Sequence, residues 1–71
     1  MNTPTKGERY QHYKGGEYEI IDTAVHTESK EEVVVYRSLT YGTTWVRPLA
    51  VFNDWVKVQG VQVPRFQKKA G

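Results

Sequence analysis

Two histidines, a few carboxylates and several arginines flanked by aromatic rings are the residues of this chain that could do chemistry. His12 and His26, together with Glu17, Asp22 and Glu28, are the types that ligate metals or move protons near neutral pH. Their spacing matches no recognised ligand pattern, so neither a metal nor a cofactor is expected. Serine occurs only as Ser29 and Ser38, neither in a nucleophile-elbow setting, and cysteine is absent, which removes the usual covalent nucleophiles. Lys14-Gly15-Gly16 suggests a phosphate cradle, but a P-loop ends in Lys-Ser/Thr at a helix start, and here a strand follows. The step reads as a tight turn feeding that strand.

The fuller constellation is aromatic rings interleaved with cations. Tyr18, Tyr36, Trp45 and Trp55 lie close in sequence to Lys14, Arg37, Arg47 or Lys57, a composition suited to base stacking, peptide grooves and cation–π contacts. A short chain must also build its core from such rings, because each tyrosine hydroxyl can reach the surface while the ring is buried. Arg47 before Pro48 and Arg65 after Pro64 fall at strand ends, where a guanidinium pairs with Glu28 or Asp54 or grips an anion with two hydrogen bonds. The ion pair is the simpler of the two readings. Candidate ligand-contacting residues are therefore His12, Lys14, His26, Glu28, Arg37, Trp45, Arg47 and Arg65, on the rim of whatever scaffold holds them.

That scaffold reads as β. In Trp55-Val56-Lys57-Val58-Gln59-Gly60-Val61-Gln62-Val63-Pro64, a two-residue turn at Gln59-Gly60 sets Val58 opposite Val61 and Val56 opposite Val63. All four valines then share one face, expected to cover a core, while Lys57 and Gln62 share the other. Trp55 falls on the Lys57 face, either covered by another segment or exposed as a contact residue. Upstream, Glu17–Ile21 and Glu32–Arg37 are rich in β-branched and aromatic residues and flank the polar stretch Thr27–Glu31, as in an antiparallel hairpin. Strict alternation from Tyr18 would set Asp22 among apolar residues, so a bulge is expected near Asp22-Thr23, re-aiming His26. Thr44–Arg47 is a further strand, ended by Pro48, which cannot donate to a ladder. One helical turn is expected near residues 48–54, with Leu49 and Phe52 on one side. Five or six short antiparallel strands plus that turn predict an all-β fold, a small SH3-like barrel or alternatively an OB-like one.

Length and charge bound the rest. A chain of 71 residues is one domain at most, and folding at this size buries only about 60% of the unfolded surface. Residues 1–7 are expected as a disordered tail, 8–67 as the domain and 68–71 as a frayed end. Ten basic and eight acidic residues give a net charge of +2, without the concentrated basic stripe of a dedicated nucleic-acid binder. No apolar run approaches the roughly 20 residues that cross a bilayer, and the opening residues hold no apolar signal-peptide region, so a cytoplasmic protein is expected.

Tyr13-Lys14-Gly15-Gly16-Glu17-Tyr18, His26-Thr27-Glu28, Val34-Val35-Tyr36-Arg37, Trp45-Val46-Arg47-Pro48, Phe52 and Val63-Pro64-Arg65-Phe66 form an ordered set. In this set the chain resembles the small bacterial family catalogued as domain of unknown function 1653. The resemblance covers nearly all of the chain outside its tails. Where that family tends to have Leu-Tyr-Gly, this chain has Leu39-Thr40-Tyr41-Gly42, a loop one residue longer. The resemblance implies a stand-alone bacterial β domain and no activity. Two classes of function follow. One is a non-catalytic binding module, monomeric or weakly dimeric, whose polar-aromatic rim meets a peptide, protein or nucleic acid. The other is a small metal-assisted or acid-base enzyme, which needs His12, His26 and Glu28 to converge in one pocket.

Overall fold

The computed structural model describes residues 3–69. Seven strands and one helical turn follow in the order β1 (Arg9–His12), β2 (Glu17–Val25), β3 (Glu32–Ser38), β4 (Thr44–Pro48), α1 (Leu49–Phe52), β5 (Trp55–Val58), β6 (Val61–Pro64) and β7 (Phe66–Lys68). The first four strands and β7 form one antiparallel sheet in the order β4-β3-β2-β1-β7, and β5 and β6 form a separate two-stranded ribbon. The all-β expectation holds. The closed barrel does not: β4 and β7 are the two ends of an open sheet and do not pair. Two features mark its open ends. β4 runs into Pro48, which lacks a donor and turns the chain into α1, and β7 is only three residues long.

The bulge falls at Ile21, one residue before the expected position. Pairing passes from Ile20↔Tyr36 directly to Asp22↔Val35, so Ile21 is the extra residue. The slip sends Asp22 to solvent, and Ile20, Tyr36 and Val34 can all be buried. These three join Tyr10, Leu49, Phe52 and Phe66 in one core, and Tyr18 packs against them. Leu49 and Phe52, the two apolar members of α1, are both buried. A helix of one turn is stable only through such packing.

Gln59 and Gly60 take φ of 50° and 81°, the left-handed pair of a type I′ turn, and the register of β5 with β6 is the one that the turn dictates. The four valines, however, do not cover a core. Val56 and Val63 are half-buried, whereas Val58 is 39% and Val61 62% exposed. Rings from the sheet and α1 already fill the interior, so only the base of the ribbon packs and its tip projects. Trp55, on the Lys57 side, is 62% exposed. The base is clipped at both residues that flank it. Arg65 donates to the Asp54 carboxylate from Nε at 2.6 Å and from an Nη at 3.2 Å, and its backbone N–H donates to the Asp54 carbonyl at 3.0 Å.

At the amino end Pro4 is buried and the Gly7 N–H donates to the Ile20 carbonyl at 2.9 Å. The outermost parts of the expected tails, Met1, Asn2, Ala70 and Gly71, lie outside the described residues. Gln59 is the position of the ribbon with an evident mismatch between residue and backbone, since Asn tolerates positive φ far better. Gln59→Asn should therefore raise the stability by roughly 0.5 kcal/mol, seen as a higher urea midpoint at unchanged slope.

Candidate functional site: an aromatic pocket at the open seam

Because the sheet curls without closing, its two edges face each other across a seam bridged by side chains. Arg47 of β4 lies over the ring of Phe66 of β7, its guanidinium carbon 5.5 Å from the ring centroid. Beside this contact is a pocket of about 170 Å³ lined by His12, Tyr18, Tyr36, Trp45, Arg47 and Phe66. Every strand of the large sheet contributes to it. Tyr36 and Trp45 are cross-strand partners and so present their rings on the same face, and Val34 and Arg47 are the next such pair. His12 pairs with Phe66 across β1 and β7.

The rings form a connected wall. Phe66 lies edge-on to His12 at 4.9 Å, to Tyr36 at 5.4 Å and to Tyr18 at 5.7 Å, and stacks on Phe52 at 4.2 Å with planes 7° apart. Tyr18 meets Tyr36 edge-on at 5.4 Å. Trp45 keeps 52% of its surface exposed at the mouth.

Arg47 sets the electrostatics. Its Nη1 is buried and has no hydrogen-bond partner among the described residues. Arg65, the other guanidinium nearby, is committed to Asp54, which holds its pKa above the ordinary arginine value. His12 is pushed below its ordinary 6.5, first by burial and then by the positive charges of Arg47, Arg65 and Lys14. It is therefore neutral at pH 7. Its Nδ1 accepts the Lys14 N–H at 3.1 Å, which leaves the ring proton on Nε2. Burial likewise raises the Tyr36 hydroxyl, which stays protonated. The pocket thus offers one uncommitted cation, neutral donors and apolar ring faces.

Of the eight candidate residues, His12, Trp45 and Arg47 meet in this pocket. Lys14 is exposed on the β1–β2 turn, its Nζ 5.8 Å from the Tyr13 ring centroid. Arg37 is on the opposite face of the sheet, 3.4 Å from Glu19. His26 and Glu28 are in the β2–β3 turn, where the His26 Nδ1 accepts the backbone N–H groups of Glu28 at 3.2 Å and Ser29 at 3.3 Å. His12 bonds opposite Gly16, ten residues before His26 along β2, a separation of about 30 Å at the rise of a strand. His12, His26 and Glu28 therefore do not converge, and among the described residues no three His, Asp or Glu side chains are grouped so as to hold a metal ion. Sequence reasoning counted Tyr18 and Tyr36 among the rings interleaved with cations but left them, and Phe66, out of the candidate residues. The signal for Tyr36 was the short connection Leu39–Gly42, which, counted outward, brings Tyr36 opposite Trp45.

Fold and pocket define a small open-sheet β domain with an aromatic, singly cationic recess. By family the chain belongs to "Protein of unknown function (DUF1653)", whose model matches residues 8–68, so the resemblance read from the motifs is borne out. It is similar to the crystal structure of a DUF1653 protein from Bordetella bronchiseptica, with 33% identity, a TM-score of 0.77, and coverage of 89% of this chain and 85% of that chain. No curated protein matches the chain.

The His12 shift has a consequence for stability. Below pH 6.5 the unfolded chain takes up a proton at this histidine that the folded chain refuses, so folding weakens as pH falls through that value and the stabilisation is complete above it. The urea midpoint should fall between pH 7.5 and 5.5. His12→Asn, whose amide oxygen can still accept the Lys14 N–H, should lose a large part of that fall; an unchanged fall in the variant would contradict the assignment.

Proposed function

We propose that this DUF1653 protein is a non-catalytic binding module of the bacterial cytoplasm, and that its pocket takes a residue-sized, singly charged carboxylate group of a peptide or protein partner. The observation that carries this reading is the buried, unpartnered Nη1 of Arg47 within a wall of rings. Leaving such a donor without an acceptor costs about 1–3 kcal/mol, more when it is charged, and a bound anion offsets that cost. Size favours a single residue: whole small-molecule sites run from about 300 to 1,000 Å³, and this one is about 170 Å³. Charge favours a carboxylate. With Arg65 held by Asp54 and His12 neutral, one cation faces one negative charge, whereas a dianionic phosphate recruits several. The bacterial structural relative and the absence of cysteine support the compartment proposed.

The test uses sodium benzoate, a carboxylate on an aromatic ring, titrated into isotopically labelled protein. Amide shifts should centre on His12, Tyr36, Trp45 and Arg47. Arg47→Gln should weaken the response about tenfold, the worth of one charge-assisted hydrogen bond. Equal responses in the two proteins, or stronger displacement by inorganic phosphate than by acetate, would contradict the reading.

A further inference from the structure

The pocket opens beside β4, an edge strand of the large sheet. Sheet edges are normally blunted by lysine, proline, bulges or brevity, because their free backbone groups otherwise recruit another strand. β7 is three residues long and carries Lys68, paired to Glu8 at 2.7 Å. The β5–β6 ribbon carries Lys57 and Pro64. β4 holds no lysine, carries its proline, Pro48, only at its last position, pairs with β3 in unbroken register from Thr44, and shows solvent Trp45 at 52% and Val46 at 63% of their surfaces.

The backbone of β4 can be oriented from its neighbours. The Ser38 N–H donates to the Thr43 carbonyl at 2.8 Å, whereas the Leu39 N–H turns the other way, to Glu17 at 3.0 Å. In an antiparallel ladder these directions alternate, so Tyr36 and Val34 bond toward β4 and receive Trp45 and Arg47 in return. The N–H and C=O of Thr44 and Val46 then point outward from the sheet. Trp45 and Arg47 are thus fixed by their backbones while their side chains flank the pocket, and Val46 between them offers both backbone groups to a newcomer.

We infer that an extended acidic segment of a partner protein adds to β4 as a sixth strand and delivers a carboxylate side chain to Arg47. The inference rests on the carboxylate reading above and names the form in which that group arrives. Cross-strand geometry fixes the pattern of the segment. The residue opposite Arg47 is Glu or Asp, its carboxylate accepting from the guanidinium. The next one faces the other side of the sheet over Val46 and Val35 and is β-branched and apolar. The third lies against Trp45 and is apolar. Antiparallel addition, the slightly more stable pairing, makes the order acidic, β-branched, apolar from the amino end.

The experiment uses the full chain carrying Trp55→Phe, so that Trp45 alone reports by fluorescence. The probe is an acetylated and amidated seven-residue peptide with Glu-Val-Leu at its centre and threonines on either side. It should shift the Trp45 emission saturably, and its Gln-Val-Leu counterpart should bind about tenfold more weakly. Arg47→Gln should abolish that difference, and methylating the backbone nitrogen of the central valine should remove binding. Each of four results would overturn the inference: equal affinity for the Glu and Gln peptides, indifference to the N-methyl group, tighter binding of a phosphoserine peptide or of an oligothymidylate, or a dimer of the free chain that Val46→Lys dissolves. If benzoate still binds at Arg47 while the peptide does not, strand addition is wrong and the carboxylate pocket stands; if neither binds, both are wrong.

Discussion

The stack of Phe66 on Phe52 holds this domain together. A chain of this length lacks the volume for a layered core and has no cysteine to staple one, so a few rings carry the burial that folding requires. Phe52 comes from a helical turn that cannot stand alone, and Phe66 from a strand of three residues. Neither element would be placed without the other. With centroids 4.2 Å apart and planes 7° apart, they lock α1 and β7 to each other. Tyr10 and Tyr36 then meet Phe52 edge-on at 5.2 and 5.7 Å, an arrangement that matches positive ring edges to negative faces. The clip between Arg65 and Asp54 serves the same end, because it fixes the chain one residue before Phe66 enters the core.

The same ring also reaches the open seam of the sheet. Phe66 presents one side to Phe52, and the Arg47 guanidinium lies 5.5 Å from its centroid. A cation held over a ring is stabilised by about 0.5–2 kcal/mol, enough to position Arg47 but not to replace the hydrogen bonds that its Nη1 lacks. The domain thus keeps a charge poised at its seam, with no carboxylate among the residues that line the pocket and with Asp54 spent on Arg65. Burial keeps His12 neutral, which leaves Arg47 as the pocket's one free positive charge.

How much of this the sequence disclosed depended on whether the deciding physics was local. The β5–β6 register was legible because Gln59-Gly60 dictates it, and the bulge was legible because Asp22 could not be buried. The helical turn after Pro48 followed from the same kind of neighbourly constraint. What escaped was set by segments far apart in the chain. The four valines alternate as a core-covering face should, but whether a face is covered depends on what lies opposite, and Phe52 and Phe66 had already filled that space. That the sheet stays open depends on where β4 and β7 come to lie relative to each other, which no single strand's pattern contains. His26 and Glu28 looked as suitable as His12 and Trp45 by residue type; only the pairing of strands puts one pair at a distant turn and the other at the seam.

The dependence of the pocket on the stack is open to a direct measurement with Phe66→Leu. This change keeps a strand-compatible apolar side chain of lesser volume but removes the ring face beneath Arg47, at a cost in stability of about 1–2 kcal/mol. The quantity to measure is benzoate affinity of the variant under conditions where its amide spectrum shows it folded. Loss of roughly tenfold or more in a protein that is still folded is the expected result. Undiminished affinity would contradict the claim that Phe66 builds the site as well as the core.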